Sequence, residues 1–144
     1  MDDELLFLTF LSKRRRQMAT TIRLRGGVVI LEPNGKLIGT AVSELREKLA
    51  AQLEASNAAC ILINFEHVNQ MDSSGLGMLV NTRAVAAWKK SRIGIINVEK
   101  RIRNLLVLSR LVSLFKYFDT EAAAIAAFNR EQRTFPMQLK KSTI

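Results

Sequence analysis

Several residue types are scarce in this 144-residue chain, and each scarcity excludes something. There is one cysteine, Cys60, and one histidine, His67. A lone cysteine excludes an internal disulfide and suits an intracellular protein. A lone imidazole excludes a His-rich metal site and a Ser-His-Asp triad of the usual kind. Neither a Walker loop nor a dinucleotide glycine fingerprint occurs. No apolar run approaches the roughly 18–20 residues that cross a bilayer. The longest candidate, Leu5 to Leu11, follows Asp2, Asp3 and Glu4 and precedes Lys13, Arg14, Arg15 and Arg16, the reverse of a secretory leader's charge order. No cofactor, metal or enzymatic activity is expected.

Aromatic residues are only 6% of the chain, although its net charge is +9. A nucleic-acid reader carries its bases on the docking face, often among aromatics. Here residues 1–25 and 129–144 together carry +6, and the stretch between them carries +3. The excess therefore reads as solvated basic arms, with no direct nucleic-acid contact.

What is present is the composition of a globular domain: 48% apolar and 24% charged residues. Residues 1–18 stand apart. Their apolar residues are contiguous, and a four-base block follows. They read as a poorly ordered extension, as a start assigned ahead of a true Met18, or as a segment that lies on a membrane surface. Residues 130–144 read as a tail, which leaves a domain over 19–129.

Within that domain, Thr20–Arg25, Gly26-Gly27 and Val28–Leu31 form a β-hairpin signal. A turn at Pro33-Asn34-Gly35 and a short strand, Lys36–Ile38, follow. Thr40 is placed to cap a helix in which Val42, Leu45, Leu49 and Leu53 recur at helical spacing. Ala59–Phe65 and Arg92–Val98 are short apolar runs expected as buried strands. Cys60 falls inside the first and is expected as a small core residue; His67, in the following loop, is expected to be structural or exposed. A helix is expected from Asp72 to Lys90, with Leu76, Leu79, Val80, Val85 and Trp88 apolar, and Trp88 in or at the edge of the core. Another starts near Glu99, with Ile102, Leu105, Leu106 and Ser109 on one side. Leu114–Phe118 suits a last strand, and Asp119-Thr120-Glu121 opens a final helix, its acids matching the positive helix terminus. Strands separated by helices imply an α/β fold: one mixed, mostly parallel sheet with helices packed on it.

One stretch is unusual: Met71-Asp72-Ser73-Ser74-Gly75-Leu76-Gly77, between a buried strand and a helix. Asp72 or Ser73 can cap the helix, and glycines allow a tight turn. Yet one capping residue suffices and three stand in a row, while each glycine weakens the helix by roughly 1 kcal/mol relative to alanine. The backbone there must be approached closely or must bend.

The segment Asn64–Gly77, with its Asp-Ser-Ser-Gly-Leu-Gly string, resembles the signature of STAS domains, and specifically of anti-sigma-factor antagonists. The resemblance runs through about residues 20–129. It includes Gly35-Lys36-Leu37 before a helix, similar to the family's Gly-Glu-Leu-Asp turn, and Leu105–Leu111 with Phe115–Asp119 and an Ala-rich helix.

The resemblance implies a binding switch. The unphosphorylated domain would bind an anti-sigma factor that is also a serine kinase, releasing a sigma factor. Phosphorylation would fall on Ser73, and a PP2C-type phosphatase would reverse it. The partner-binding residues implied are Asp72, Ser73, Ser74, Gly75, Gly35, Lys36 and Ile38. Asp72 would orient the Ser73 hydroxyl, Ser74 would cap the helix, Gly75 would let a kinase loop come near, and Leu76 would sit in the core. Lys36 replaces the family's Glu, and Ile38 stands where an acid is common, which bears on which anti-sigma factor is recognised. The alternative is an unphosphorylated STAS scaffold subunit of a stress-signalling or membrane lipid-transport complex.

Overall fold

A computed structural model describes residues 20–131. The expectations for residues 1–18 and for the tail beyond 131 lie outside the described residues. The elements in chain order are β1 (Thr21–Arg25), β2 (Val28–Glu32), β3 (Gly35–Leu37), α1 (Thr40–Ala55), β4 (Cys60–Asn64), β5 (Val68–Met71), α2 (Ser73–Trp88), β6 (Arg92–Ile96), α3 (Lys100–Leu108), a 3-10 turn (Val112–Leu114), β7 (Lys116–Phe118) and α4 (residues 121–131).

The sheet has the order β1-β2-β4-β6-β7. Only β1 runs antiparallel, joined to β2 through Gly26 and Gly27, whose positive φ angles (56° and 79°) suit a tight hairpin turn. The other pairs are parallel, as the intervening helices require. Every residue of β4 is buried, so both faces of the central strand are covered. One face packs against α1, α2 and α3 through Leu45, Leu49, Leu79, Ile102 and Leu106. The other packs on α4 through Val28, Ile30, Leu62, Ala124 and Phe128. Cys60 is a small core residue on this second side.

The stripe Val42, Leu45, Leu49 and Leu53 is buried along α1 as its spacing implies. Several details differ from the sequence expectation. Thr40 is the first helical residue, and Gly39 holds the N-cap position without a side-chain cap. Ser109 is the exposed C-cap of α3 and not part of its buried side. The last strand begins at Lys116, because Val112–Leu114 coil into the 3-10 turn. The segment after β4, expected as a loop, contains β5, which pairs with β3 in a separate two-stranded parallel sheet. Arg130 and Glu131 belong to α4, and Glu131 ties that helix to Arg92 and Lys116.

A buried amide organises the ends of the parallel strands. The Asn64 Oδ1 accepts from the Glu66 backbone N–H and from Asn97 Nδ2, each at 3.0 Å, and Asn64 Nδ2 donates to Glu32 at 3.4 Å. These bonds link the C-terminal ends of β2, β4 and β6, beside which the chain turns into β5. Satisfying the amide matters because an orphaned buried polar group costs about 1–3 kcal/mol.

Across the other side, Arg23 bridges Glu32 and Glu121, and Arg25 also reaches Glu121 at 2.8 Å. Hydrogen bonds from Arg23 and then Arg25 pull the Glu121 carboxyl from its ordinary 4.5 down to about 2. A depressed carboxyl stabilises the fold above its unfolded pKa and loses that contribution as pH falls through the folded one. Glu121→Gln is therefore expected to lower unfolding free energy by about 1 kcal/mol at pH 7, a value discounted for the exposed arginines. Urea titrations should show the two proteins converging as pH falls from 4.5 to about 2.

Candidate functional site

The candidate site is built where two short strands end side by side. In the parallel pair β3–β5, Lys36 lies opposite Gln70 and Leu37 opposite Met71. The Gly35 N–H donates to the His67 carbonyl at 2.8 Å, fixing the start of the pair. The next residue on one strand is Ile38, half-buried, and on the other Asp72, exposed. Ile38 and the Asp72-Ser73-Ser74-Gly75 string are thus brought to one end of this small sheet, while Gly35 lies at its other end and Lys36 between the two. Lys36 is exposed and Gly35 half-buried.

Asp72 has extended backbone angles (φ −111°, ψ −173°) and is the N-cap of α2. One carboxylate oxygen, Oδ1, accepts from the backbone N–H groups of Ser74 and Gly75, both at 3.1 Å, and from the Ser74 hydroxyl at 2.6 Å. The Ser74 hydroxyl bond, followed by the Gly75 N–H, lowers the Asp72 carboxyl below its ordinary range. Asp72 is therefore charged at neutral pH and already supplies the anion that a helix N-terminus favours.

This arrangement reassigns three of the roles expected above. Asp72, one of the two caps the turn itself offered, is the cap, and Ser74 is not. The carboxylate holds the Ser74 hydroxyl, not that of Ser73. Ser73 is exposed, and none of the described residues hydrogen-bonds its hydroxyl. Gly75 is buried and faces inward: a Cβ there would stand 2.6 Å from Met71 Cγ and 3.2 Å from the Leu37 carbonyl oxygen. Its missing side chain lets α2 close onto β3 and β5, which leaves no room for an incoming loop. Gly77 is the opposite case, since it is exposed and a Cβ would meet nothing within 4 Å. Leu76 is 8% exposed and belongs to the core, as expected.

Trp88 overturns a further expectation, because it is 89% exposed. The buried side of α2 is formed by Gly75, Leu76, Met78, Leu79, Thr82 and Ala86. Thr82 is tolerated there because its hydroxyl donates to the Met78 carbonyl at 2.8 Å. Apolar residues surround this helix on most sides, so spacing alone did not mark which side faces in. A cleft of about 310 Å3 before the start of α2, lined by Asn69, Gln70, Met71, Arg101, Ile102 and Leu105, has no signal in the sequence. It forms only because β5 exists. Among the described residues, no group of His, Cys, Asp and Glu side chains is placed to hold a metal ion, and no helix is long and apolar enough to cross a membrane.

A five-stranded sheet helical on both faces, beside a two-stranded pair that ends in a capped Asp-Ser-Ser-Gly turn, defines a class of α/β domain. The STAS domain family model matches residues 19–124, and the chain belongs to that family. It is 23% identical over 99 residues to an anti-sigma F factor antagonist of Paenibacillus polymyxa, covering 69% of this chain and 85% of that one. An anti-sigma factor antagonist from Mycobacterium paratuberculosis superposes with a TM-score of 0.68 at 21% identity, over 77% of this chain and 93% of its own. The Bacillus cell fate determinant SpoIIAA in its phosphorylated form superposes with a TM-score of 0.60 at 25% identity, over 76% and 98%.

The two glycines make opposite predictions. Gly75→Ala forces α2 away from Met71 and Leu37 and is expected to destabilise the fold by about 1–3 kcal/mol. Gly77→Ala fills open space on a helix and is expected to stabilise it by roughly 0.5–1 kcal/mol. Thermal or urea unfolding of both variants checks the pair.

Proposed function

We propose that this protein is an anti-sigma-factor antagonist whose binding is switched by phosphorylation of Ser73. The observation that carries the reading is the exposed Ser73 hydroxyl, left without a partner while Asp72 is committed to Ser74, Gly75 and the helix cap. The curated relative from Paenibacillus polymyxa, named an anti-sigma F factor antagonist, supports the partner class.

In the unphosphorylated state the start of α2 offers a partner an uncharged hydroxyl beside one capped carboxylate. The partner is an anti-sigma factor that is also a serine kinase. Transfer breaks the bond between the γ-phosphorus of ATP and its bridging oxygen. The Ser73 oxygen bonds that phosphorus, ADP leaves, and the hydroxyl proton goes to a base on the kinase. The product adds about −1.5 to −2 charge at pH 7. A bare helix terminus would absorb such a charge. Here Asp72 already holds the N–H groups of Ser74 and Gly75, so the phosphate adds to a standing negative charge and projects toward the partner. Repulsion and desolvation then act on the complex, while the domain's own core is untouched. Hydrolysis of the phosphoserine by a PP2C-type phosphatase returns the hydroxyl. The domain is a substrate and ligand in this cycle and not a catalyst.

Two measurements test the reading. Intact-mass and peptide mapping of protein from its own cells should find a phosphate on Ser73 in at least one growth state. Against its anti-sigma factor, Ser73→Ala should bind like the parent protein and Ser73→Asp at least tenfold more weakly. Equal affinities of the two variants would remove the switch and favour the unphosphorylated scaffold.

A further inference from the structure

The outward side of α2 differs from an ordinary surface helix. At 3.6 residues per turn, Ser73, Gly77, Ala84 and Trp88 fall along one line opposite the buried side, with Val80 and Asn81 beside them. A solvent-facing helix side normally carries charges. Within α2 the one charged residue is Arg83, which lies off this line and whose Nε donates to the Leu114 carbonyl at 2.5 Å. The line ends on the Trp88 indole, 89% exposed, with Val85 38% exposed at its flank. No residue of the described chain covers that ring. Tryptophan is also among the residues most often found as the anchor of a protein interface.

We infer that this side of α2 is a docking surface for the same protein that engages Ser73, with Trp88 as its far anchor. The inference rests on the reading of Ser73 as a partner contact. Fifteen residue steps separate Ser73 from Trp88, about 22 Å along the helix. A standard interface covers about 800 Å2 per partner, roughly 30 Å across if round, so one partner spans both ends. Charge fixes the chemistry of that partner. Lys89 and Lys90 follow the indole and make no ion pair among the described residues. The matching surface presents an uncharged, closely approaching ridge along α2 and carboxylates around a pocket that takes the indole. A second copy of this chain fits poorly, because a two-fold contact at Trp88 would set Lys89 and Lys90 of both copies together.

The test uses the full chain in its own cells, with a benzophenone amino acid placed at Asn81 or, separately, at Trp88, and cross-linked proteins identified by mass. One and the same protein is expected from both positions. Trp88→Ala is expected to lower cross-linking from position 81 at least tenfold without lowering the melting temperature. Different proteins at the two positions, a second copy of this chain, no adduct at 88, or an undiminished yield with Trp88→Ala would overturn the docking surface. Adding Ser73→Asp separates the two readings. If both adducts persist with Ser73→Asp and the adduct at 81 falls with Trp88→Ala, the docking surface stands and the phosphorylation switch fails. If Ser73→Asp abolishes the adduct and Trp88→Ala does not, the switch stands and the docking surface fails.

Discussion

The close approach of α2 to the β3–β5 pair at Gly75 is the constraint on which the site depends. The space a Cβ would need is taken by Met71 Cγ and the Leu37 carbonyl. Because these atoms belong to the last residues of β5 and β3, the contact locks the helix start to both strands at once. The main sheet contributes indirectly. Asn64 ties the ends of β2, β4 and β6, so the chain enters β5 from a fixed point. The position of Ser73 is therefore set from within the fold, with no contribution from its own side chain.

That division of labour explains the three capping-type residues in a row. Asp72 satisfies the backbone donors of Ser74 and Gly75, and the Ser74 hydroxyl bonds back to the same oxygen. Ser73 is relieved of structural duty. Had Ser73 been the cap, modifying its oxygen would have opened the helix start. With Asp72 as cap, a new charge there can act outward while the fold keeps its bonds.

The sequence made some of this legible and not the rest, for physical reasons. Periodicity placed α1, since Val42, Leu45, Leu49 and Leu53 are its buried stripe. A short apolar run, Ala59–Phe65, marked β4, which is buried on both faces. The string around Ser73 marked the helix start. Strand β5 escaped because only its end residues, Val68 and Met71, are buried, with Asn69 and Gln70 exposed between them. Four such residues give neither an alternation nor an apolar run. Trp88 resembles a core residue in the sequence because the inward side of α2 uses Gly75, Thr82 and Ala86 among its larger residues. Small and polar residues there hid the true stripe and let exposed apolar residues pass for it. The inward role of Gly75 needed coordinates, because a glycine in a string does not say which side is crowded.

The distribution of residues around α2 carries information beyond packing. A helix whose inner side accepts glycine, threonine and alanine while its outer side shows valine and tryptophan is not arranged for solvent alone. Burying an indole is among the larger hydrophobic gains available to a side chain. A chain that forgoes it while leaving Gly77 in open space spends helix stability on a smooth outer surface. Neither choice improves the isolated domain. Both become favourable when a second surface comes close along α2, and the one hydroxyl on that path left free of structural bonds is that of Ser73.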